Sequence, residues 1–296
     1  MKHETSHGSS RSALTAKTLI GGVAAAALLG LSMNAQAQTC VVDNWTSATV
    51  VTNANAGTQG TSNRRYGGPC GLRTPAGPTA AYVTDETPSA EGSYIARFYA
   101  YLDDAGTAPA IIYEATDGTD FRIRVWYNAD NTGGASPGDL TLQVADNATD
   151  NNFLTFSGVG PGWHSIEFTW EAAASAEINF TVNGAADQTI NLDTSGFQIA
   201  DASLGNVNGG ATGTMDFDDF DSRRISRPGR LCRGDTNGDE EIRLTDVTNI
   251  FTEAQTFGAT LAGGQPDFDE NGSVGLADVT ATFARVQAFN FDCPTP

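Results

Sequence analysis

The sequence predicts a mainly β protein, with an antiparallel β-sandwich over residues 38–225 and a small pair of loop–helix repeats over residues 232–296. Segments such as "DFRIRVWYN" and "HSIEFTW" alternate apolar and polar residues, as strands with one buried face do. Stretches rich in Gly, Asn and Asp separate these segments. The C-terminal part repeats with a period of 32 residues, and each copy joins an acidic loop to an amphipathic helical pattern.

The N-terminus has the features of a secretion signal. Lys2, Arg11 and Lys17 precede an apolar run at 19–31, and an A-x-A cleavage pattern ends at Ala37. The run is shorter than the ~20 apolar residues of a membrane span, although a retained anchor is the alternative. We expect a bacterial signal peptide cleaved after Ala37, and a protein that is secreted or lies at the cell surface.

The cysteines and the net charge indicate which compartment and which partners to expect. In an oxidising compartment an even number of cysteines favours disulfides, and the four cysteines after the signal are Cys40, Cys70, Cys232 and Cys293. Three pairings are open, and proximity in the sequence favours Cys40–Cys70 with Cys232–Cys293. The net charge of −19 repels nucleic acid and anionic membranes. We expect no nucleic-acid partner and no membrane span.

One predicted strand presents a candidate ligand-binding face. In "DFRIRVWYN", Ile123 and Val125 share one side, whereas Arg122, Arg124 and Trp126 share the other. An indole beside two guanidiniums suits a sugar ring that carries hydroxyl or carboxylate groups. These three are therefore weak candidates for binding a polysaccharide or cell-surface glycan, and an ordinary surface aromatic is the preferred alternative.

Other polar residues of the sandwich are expected to be structural. His164 shares strand parity with apolar neighbours, which predicts a buried or strand-edge histidine. Two acidic pairs, Asp103–Asp104 and Asp117/Asp120, flank strands. Turn caps are the preferred interpretation, and a structural calcium in the sandwich is the alternative.

The order of these segments resembles a laminin-G or concanavalin-like jelly roll. "GSYIARFYAYLDD", "GWHSIEFTW", the "TVNG" hairpin and the closing "MDFDDFDSRR" carry the resemblance. It implies a jelly-roll sandwich at 38–225. The fold group contains glycan- and protein-binding modules and some polysaccharide-cleaving enzymes.

The closing strand contains weak catalytic candidates. Asp216, Asp218 and Asp221 reproduce the E-x-D-x-x-E spacing of jelly-roll glycosidases, with Asp in place of both Glu. In those enzymes a bulge brings the outer carboxylates to one face, and a retaining pair lies ~5–5.5 Å apart. The preferred alternative is that the apolar residues between them pack inward while the aspartates face water or hold a structural calcium.

A boundary is predicted at 226–231, within "SRRISRPGRL". Pro228-Gly229 breaks regular structure, and arginines concentrate there in an otherwise acidic chain. We expect a solvated linker. Docking of this segment against acidic neighbours is the less favoured alternative.

Both acidic loops offer oxygens at alternate positions. Numbered from the first Asp, side-chain oxygens fall at positions 1, 3, 5 and 12 and a backbone carbonyl at position 7. The candidate ligands are Asp235, Asn237, Asp239, the carbonyl of Glu241 and Asp246 in loop one, and Asp267, Asp269, Asn271, the carbonyl of Ser273 and Asp278 in loop two. Calcium takes six to eight oxygen ligands, so the pattern predicts two calcium ions, with a solvated acidic turn as the alternative. Ile242 and Val274, at position 8 of each loop, are expected to form a short β-bridge.

"GDTNGDEEIRLTDV" and "PDFDENGSVGLADV" resemble a type I dockerin, the duplicated calcium-binding module that docks onto cohesin domains. The resemblance implies a cohesin-like partner that contacts loop positions 10 and 11, here Leu244-Thr245 and Leu276-Ala277. Glu240 departs from the Gly of position 6, and Phe251 and Phe283 stand where the helices usually carry basic residues. A rigid cap, clasped by Cys232 and Cys293, is an equal alternative to docking.

The combined prediction is a secreted, non-catalytic calcium-binding protein. Its jelly roll would bind glycan or protein, and its C-terminal module would serve assembly or tethering. One alternative is a dockerin-bearing polysaccharide hydrolase or lyase, and another is a structural matrix component. Chelation of calcium is expected to unfold 232–293 and to leave the β-domain folded.

Overall fold

The computed structural model describes residues 42, 45–49, 52–55, 64, 66–67, 70–130, 132–237, 241–256 and 265–292, with backbone alone for 52–55 and 256. By its contacts the chain divides into Met1–Gln36 and Ala37–Pro296, and every described residue belongs to the second unit. Several predicted features lie outside the described residues: the signal peptide, Cys40, Asp239, Glu240 and Cys293.

The described residues form two seven-stranded sheets with antiparallel pairing, as predicted. With strands numbered along the chain, the first sheet contains in spatial order β1 (Ser47–Thr49), β4 (Ala81–Asp85), β13 (Asp201–Asn206), β6 (Ala110–Thr116), β7 (Phe121–Ala129), β8 (Ala135–Val144) and β9 (Asn152–Phe156). The second contains β12 (Gln188–Leu192), β11 (Ala176–Val182), β10 (Trp163–Glu171), β5 (Ser93–Tyr101), β14 (Met215–Arg223), β3 (Cys70–Thr74) and β2 (Thr52–Asn55). Apolar residues of both sheets form one core.

In strand β7 the structure confirms which residues were predicted to share the buried side and which the outer side. Ile123 and Val125 are fully buried, and Arg122, Arg124 and Trp126 are only partly so. Alternation of this kind places one side of the strand in the core and the other at the outer face of the sheet.

The β10–β11–β12 meander also follows the sequence. Its "NG" turn has positive φ at both Asn183 (56°) and Gly184 (70°), the combination that a type I′ hairpin turn needs. His164 is buried, 2% exposed, which confirms the expectation of a structural histidine.

Strand β14 contains a bulge. Its register with β5 shifts between Asp218 and Asp221, and Asp219 in between has a φ of 47°. The extra residue lets both Phe217 and Phe220 pack against the core, so the inward packing expected for the apolar residues of "MDFDDFD" is confirmed.

Two helices follow the sandwich, α1 (Leu244–Thr256) and α2 (Leu276–Gln287). Each begins directly after one acidic loop, as the repeat predicts. Among the described residues, neither helix is long and apolar enough to cross a membrane.

The two loop–helix repeats join through backbone contacts that differ from the prediction. Arg233 forms a parallel bridge with Gln265, and the Ile242 amide donates to the Phe291 carbonyl at 2.7 Å. The predicted bridge between Ile242 and Val274 is wrong, because loop one pairs instead with the segment after α2. Both side chains are nevertheless buried, at 0% and 9% exposure, so the apolar character of position 8 serves packing.

Cys70 and Cys232 are disulfide-bonded. The sequence offers Cys40 and Cys293 as their partners, and both lie outside the described residues. The pairing Cys40–Cys70 and Cys232–Cys293 stays a prediction.

Candidate metal centre

Loop two brings three carboxylates together. Asp267, Asp269 and Asp278 each offer an oxygen, and these atoms lie within 4.8 Å of one another. Asp267 and Asp278 are buried, whereas Asp269 faces solvent. In the part of the chain that the structure describes, this is the one group of three or more His, Cys, Asp or Glu side chains with such spacing.

Backbone amides hold two of these carboxylates in place. Asp267 accepts from Gly272 N at 2.7 Å and from Asn271 N at 3.1 Å. Asp278, in the first turn of α2, accepts from Gly275 N at 2.8 Å and from Asp269 N at 3.2 Å. Each amide fixes an oxygen without adding charge, so the loop is wrapped around its own acidic groups.

The electrostatics of loop two favour a cation. Burial, and then the nearby Asp278 carboxylate, raise the pKa of Asp267 to about 8, and burial also raises the pKa of Asp278. Like charges so close are unfavourable unless a proton or a cation lies between them. Because every donor is an oxygen, the residues fit a hard divalent ion such as calcium, with Asn271 and the Ser273 carbonyl as the further predicted ligands.

Loop one has the same design in its described part. Asp235 and Asp246 are buried, at 3% and 0% exposure. Asp246 accepts from Arg243 N at 2.7 Å, as Asp278 does from the equivalent Gly275, and from Thr236 N at 2.9 Å. Asn237 donates its backbone amide to Asp235 at 3.2 Å. The remaining side-chain ligand, Asp239, lies outside the described residues, so the full first site stays a prediction.

Glu270, at position 4 of loop two, contacts the sandwich. Its Oε1 accepts from the Tyr66 hydroxyl at 2.6 Å, and its backbone carbonyl accepts from Trp163 N, the first residue of β10, at 3.0 Å. It also pairs with Arg230 and, at 3.4 Å, with Arg233. Only 15% of its side chain is exposed.

An aromatic cluster on the outer face of the second sheet lies beside this contact. It comprises Tyr66, Tyr99, Tyr101 and Trp163, with Leu231 packed against it. The Tyr66 and Tyr99 rings stack with centroids 3.6 Å apart. All four aromatic residues are at most 8% exposed, so this outer face is a second small core rather than a solvated surface.

The segment 226–231 is docked, and the prediction of a solvated linker is wrong. Arg97 donates to the Gly229 carbonyl at 3.0 Å, and Gly229 N donates to Glu167 at 2.7 Å. Arg227 pairs with Asp187 at 2.9 Å and with Glu167 at 3.5 Å. The acidic residues of the sandwich that the arginines meet come from distant strands, which a local reading of the sequence does not bring together.

Comparisons with known proteins find partial structural likeness only. No family model and no curated protein sequence matches the chain. An endo-β-1,4-glucuronan lyase from the fungus Trichoderma reesei has a TM-score of 0.44 at 11% identity, over 62% of this chain and 92% of that one. The alginate lyase AlyC3 has a TM-score of 0.39 at 11% identity, over 53% and 75%.

A botulinum neurotoxin type G receptor-binding domain gives a TM-score of 0.39 at 12% identity over 60% of this chain. This chain spans less than half, 44%, of that toxin chain. Likeness at this level identifies no activity.

The three aspartates of β14 are each engaged by a local partner. Asp216 forms two 2.6 Å hydrogen bonds with Arg73 and is 1% exposed. Asp218 accepts from Tyr66 N at 2.6 Å and Gly67 N at 3.0 Å, and burial raises its pKa. Asp221 pairs with Arg223 at 2.8 Å. These contacts are structural, but the preferred alternative is wrong in one respect, because Asp216 is buried against Arg73 and does not face water.

The candidate glycan-binding residues lie together on the outer face of the first sheet. Trp126 donates from Nε1 to Gln143 at 2.8 Å. Arg122 pairs with Asp117 and stacks on Phe197, and Arg124 likewise pairs with Glu114 and stacks on Phe121. Both guanidiniums are thus paired with a carboxylate and lie over an aromatic ring, and glycan binding there stays a prediction.

Of the acidic residues that flank strands, Asp117 caps a turn, whereas Asp103 and Asp104 contact distant segments. Asp117 accepts from Thr119 N and Asp120 N at 3.0 and 2.9 Å, as preferred from the sequence. Asp103 accepts from Gly162 N at 3.1 Å, and Asp104 pairs with Arg64 at 2.8 Å. Among the described residues, none of these aspartates joins a three-carboxylate group.

Sequence reasoning missed Glu270, Tyr66 and Trp163 as residues that act around the metal loop. Glu270 looks like one more acid in an acidic loop. The second glycine in "GPGWH" is the one sequence feature that marks this contact. Gly162 has a φ of 108°, and a Cβ there would lie 2.5 Å from the Glu270 carbonyl oxygen. The partner of that glycine is far away in sequence, so the pattern alone does not reveal it.

Proposed function

We propose that the C-terminal repeats form a dockerin-type module that binds two calcium ions and tethers an exported, non-catalytic β-sandwich protein to a partner. The observation that carries the proposal is the convergence of Asp267, Asp269 and Asp278. Their oxygens match the ligand chemistry of calcium, and the same position-12 geometry recurs at Asp246.

The surface of the two helices supports a tethering role. Leu244 and Leu276 are 60% and 69% exposed, and Phe251 and Phe283 are 41% and 40% exposed. The repeat thus presents the same leucine–phenylalanine pair twice on the outside of the module. Exposed apolar residues in matched positions suit a protein partner with an apolar face, such as a cohesin-like domain.

The sandwich is proposed to bind glycan or protein rather than to cleave polysaccharide. Support comes from the aspartates of β14, whose carboxylates hold Arg73 and the amides of Tyr66 and Gly67, and from the covered outer face of the second sheet. The candidate surface is the partly exposed one around Trp126. Export is supported by the disulfide-bonded Cys70 and Cys232, which suit an oxidising compartment.

Calcium titration of the full-length protein by calorimetry tests the proposal. We expect two bound ions, one lost in Asp246→Ala and the other in Asp278→Ala. Asp269→Asn, at a solvent-facing ligand, weakens the second site with less risk to folding. With free calcium at 100 times the dissociation constant, the free energy of unfolding should rise by about 2.7 kcal/mol for each occupied site.

Asp221→Asn is the matched control, because it removes a partly exposed carboxylate of the sandwich and should leave both ions bound. Absence of calcium binding by the folded protein contradicts the proposal. So does binding of two ions by Asp246→Ala and Asp278→Ala with unchanged affinity. Circular dichroism confirms that each variant keeps its β-sheet content.

A further inference from the structure

Glu270 has an unusual place in loop two. It lies between the predicted ligands Asp269 and Asn271, and it is not itself a predicted ligand. Its φ of 59° is a left-handed conformation that is unfavourable for a non-Gly residue. Something outside the loop must therefore hold this residue in place.

The sandwich holds Glu270 at both its backbone and its side chain. The carbonyl oxygen is bound by the Trp163 amide at 3.0 Å, and the carboxylate by the Tyr66 hydroxyl at 2.6 Å. Arg230 adds a charged partner from the docked segment. With both ends fixed, the peptide that links Asp269 to Asn271 has little freedom.

A second contact between loop two and the sandwich also restricts the loop. Gly272, with a φ of 88°, lies so close to the second sheet that a Cβ would meet the Tyr101 ring at 2.7 Å and Arg64 at 3.2 Å. Gly272 N also holds the Asp267 carboxylate. The residues of loop two that contact the sandwich, Glu270 and Gly272, are therefore the sequence neighbours of the predicted ligands Asp269 and Asn271.

We infer that the β-sandwich is part of the second metal site, with Glu270 as the positioning residue that transmits its contacts to the ligands. The inference rests on the proposed calcium function. Preorganised ligands bind a metal more tightly, since less order must be imposed on binding. By reciprocity, calcium in loop two strengthens the docking of the C-terminal module on the second sheet.

The experiment is a two-site calcium titration of the full-length protein and two variants that alter no ligand. Glu270→Gln keeps the size of the side chain and removes the charge that Arg230 and Arg233 neutralise. Tyr66→Phe removes one hydroxyl on the sandwich side and changes no charge. We expect each variant to weaken one of the two sites, by about tenfold for Glu270→Gln and by less for Tyr66→Phe, and to leave the other site unchanged.

Glu177→Gln, an exposed carboxylate on β11, is the control for loss of negative charge and should change neither site. Unchanged affinities in both variants, with two ions still bound, overturn the inference and leave the calcium function intact. Loss of affinity in Glu270→Gln alone overturns it too, since the glutamate would then act only through its charge. Absence of calcium binding by the unaltered protein contradicts the proposed function itself.

Tryptophan fluorescence provides a second readout. Trp163 is 2% exposed beside the docked loop, so chelation should shift its emission to the red. Trp163→Phe should remove most of that shift. An emission spectrum that does not respond to chelation, in a protein that binds two ions, contradicts the coupling.

Discussion

The two outer faces of the sandwich carry similar pairs of an arginine and a carboxylate, but these pairs differ in their exposure to solvent. Arg124 and Glu114 pair on the outer face of the first sheet, with 27% and 18% of their side chains exposed. Arg73 and Asp216 pair on the outer face of the second sheet, with 8% and 1% exposed. On the second sheet Arg64 also lies 3.6 Å from Asp216, and Tyr66, the docked segment and loop two contact the same face.

The burial pattern of each strand depends on whether one or both of its faces are covered. Strand β7 alternates between buried and partly exposed residues, because only one of its faces is covered. In β5 every residue after Ser93 is buried, because its outer face contributes Tyr99 and Tyr101 to the aromatic cluster and Arg97 to the contact with the docked segment. The C-terminal module therefore serves as a third layer over one sheet and contributes to the stability of the sandwich.

The strongest test of this difference compares one acidic residue from each face. Asp216→Asn removes the charge that balances buried Arg73, and breaking a buried pair in this way costs about 3 kcal/mol or more. Glu114→Gln breaks a more exposed pair and should cost less than about 1 kcal/mol. The free energy of unfolding, measured in urea, gives both values. Equal losses for the two variants contradict the claim that one face is desolvated.

The predictable part of the structure is the part specified by nearby residues. Alternation predicted which side of β7 faces the core, the "NG" pair predicted the turn at Asn183-Gly184, and the repeat predicted the three acids of loop two. In each case the signal lies within a few residues of the structure it specifies.

The unpredicted part depends on contacts between distant segments. Arg73 and Asp216 are 143 positions apart, and Tyr66 and Glu270 are 204 apart. The arginines of 226–231 looked solvated because their acidic partners, such as Glu167, come from other strands. That chelation leaves the β-domain folded stays a prediction, and undocking of the module would in addition uncover the second sheet.

Gly162, which contacts Glu270 of loop two, allows a test in which the expected loss of stability is smaller. Gly162→Ala places a Cβ against the Glu270 carbonyl oxygen, at 2.5 Å without adjustment, so we expect a loss of about 2 kcal/mol from backbone strain and a weakened contact. Gly158→Ala is the matched control in the same loop. Its φ is also positive, but no atom lies within 4 Å of the added Cβ, so strain alone should cost about 1 kcal/mol.

Calcium affinity separates the two glycine variants further. Gly162→Ala should weaken the second site, whereas Gly158→Ala should leave it unchanged. If both variants lose stability equally and bind calcium as the unaltered protein does, the close approach of Gly162 to loop two has no energetic consequence.

The smallest expected effect concerns His164, near the start of β10, which shares the side of the strand that faces the main core with Ile166 and Phe168. The orientation of the Asn183 amide is fixed because its Oδ1 accepts from Ser165 N at 3.0 Å, so its Nδ2 faces His164 Nδ1 at 3.1 Å. That arrangement requires an unprotonated Nδ1. Burial lowers the pKa of His164, and the carboxylates of Asp103 and Glu270 oppose the shift only in part.

The sign of the pH dependence follows from this lowered pKa. The unfolded chain takes up a proton near pH 6.5, whereas the folded protein does so only at lower pH. The contribution of His164 to stability is therefore complete above about pH 6.5 and declines as the pH falls towards the folded pKa. Urea unfolding at about pH 7.5 and 5.5 should show a smaller loss for His164→Gln than for the unaltered protein. Equal losses would mean that acidification acts through the carboxylates alone, and that the neutral histidine contributes nothing to the stability of the folded protein.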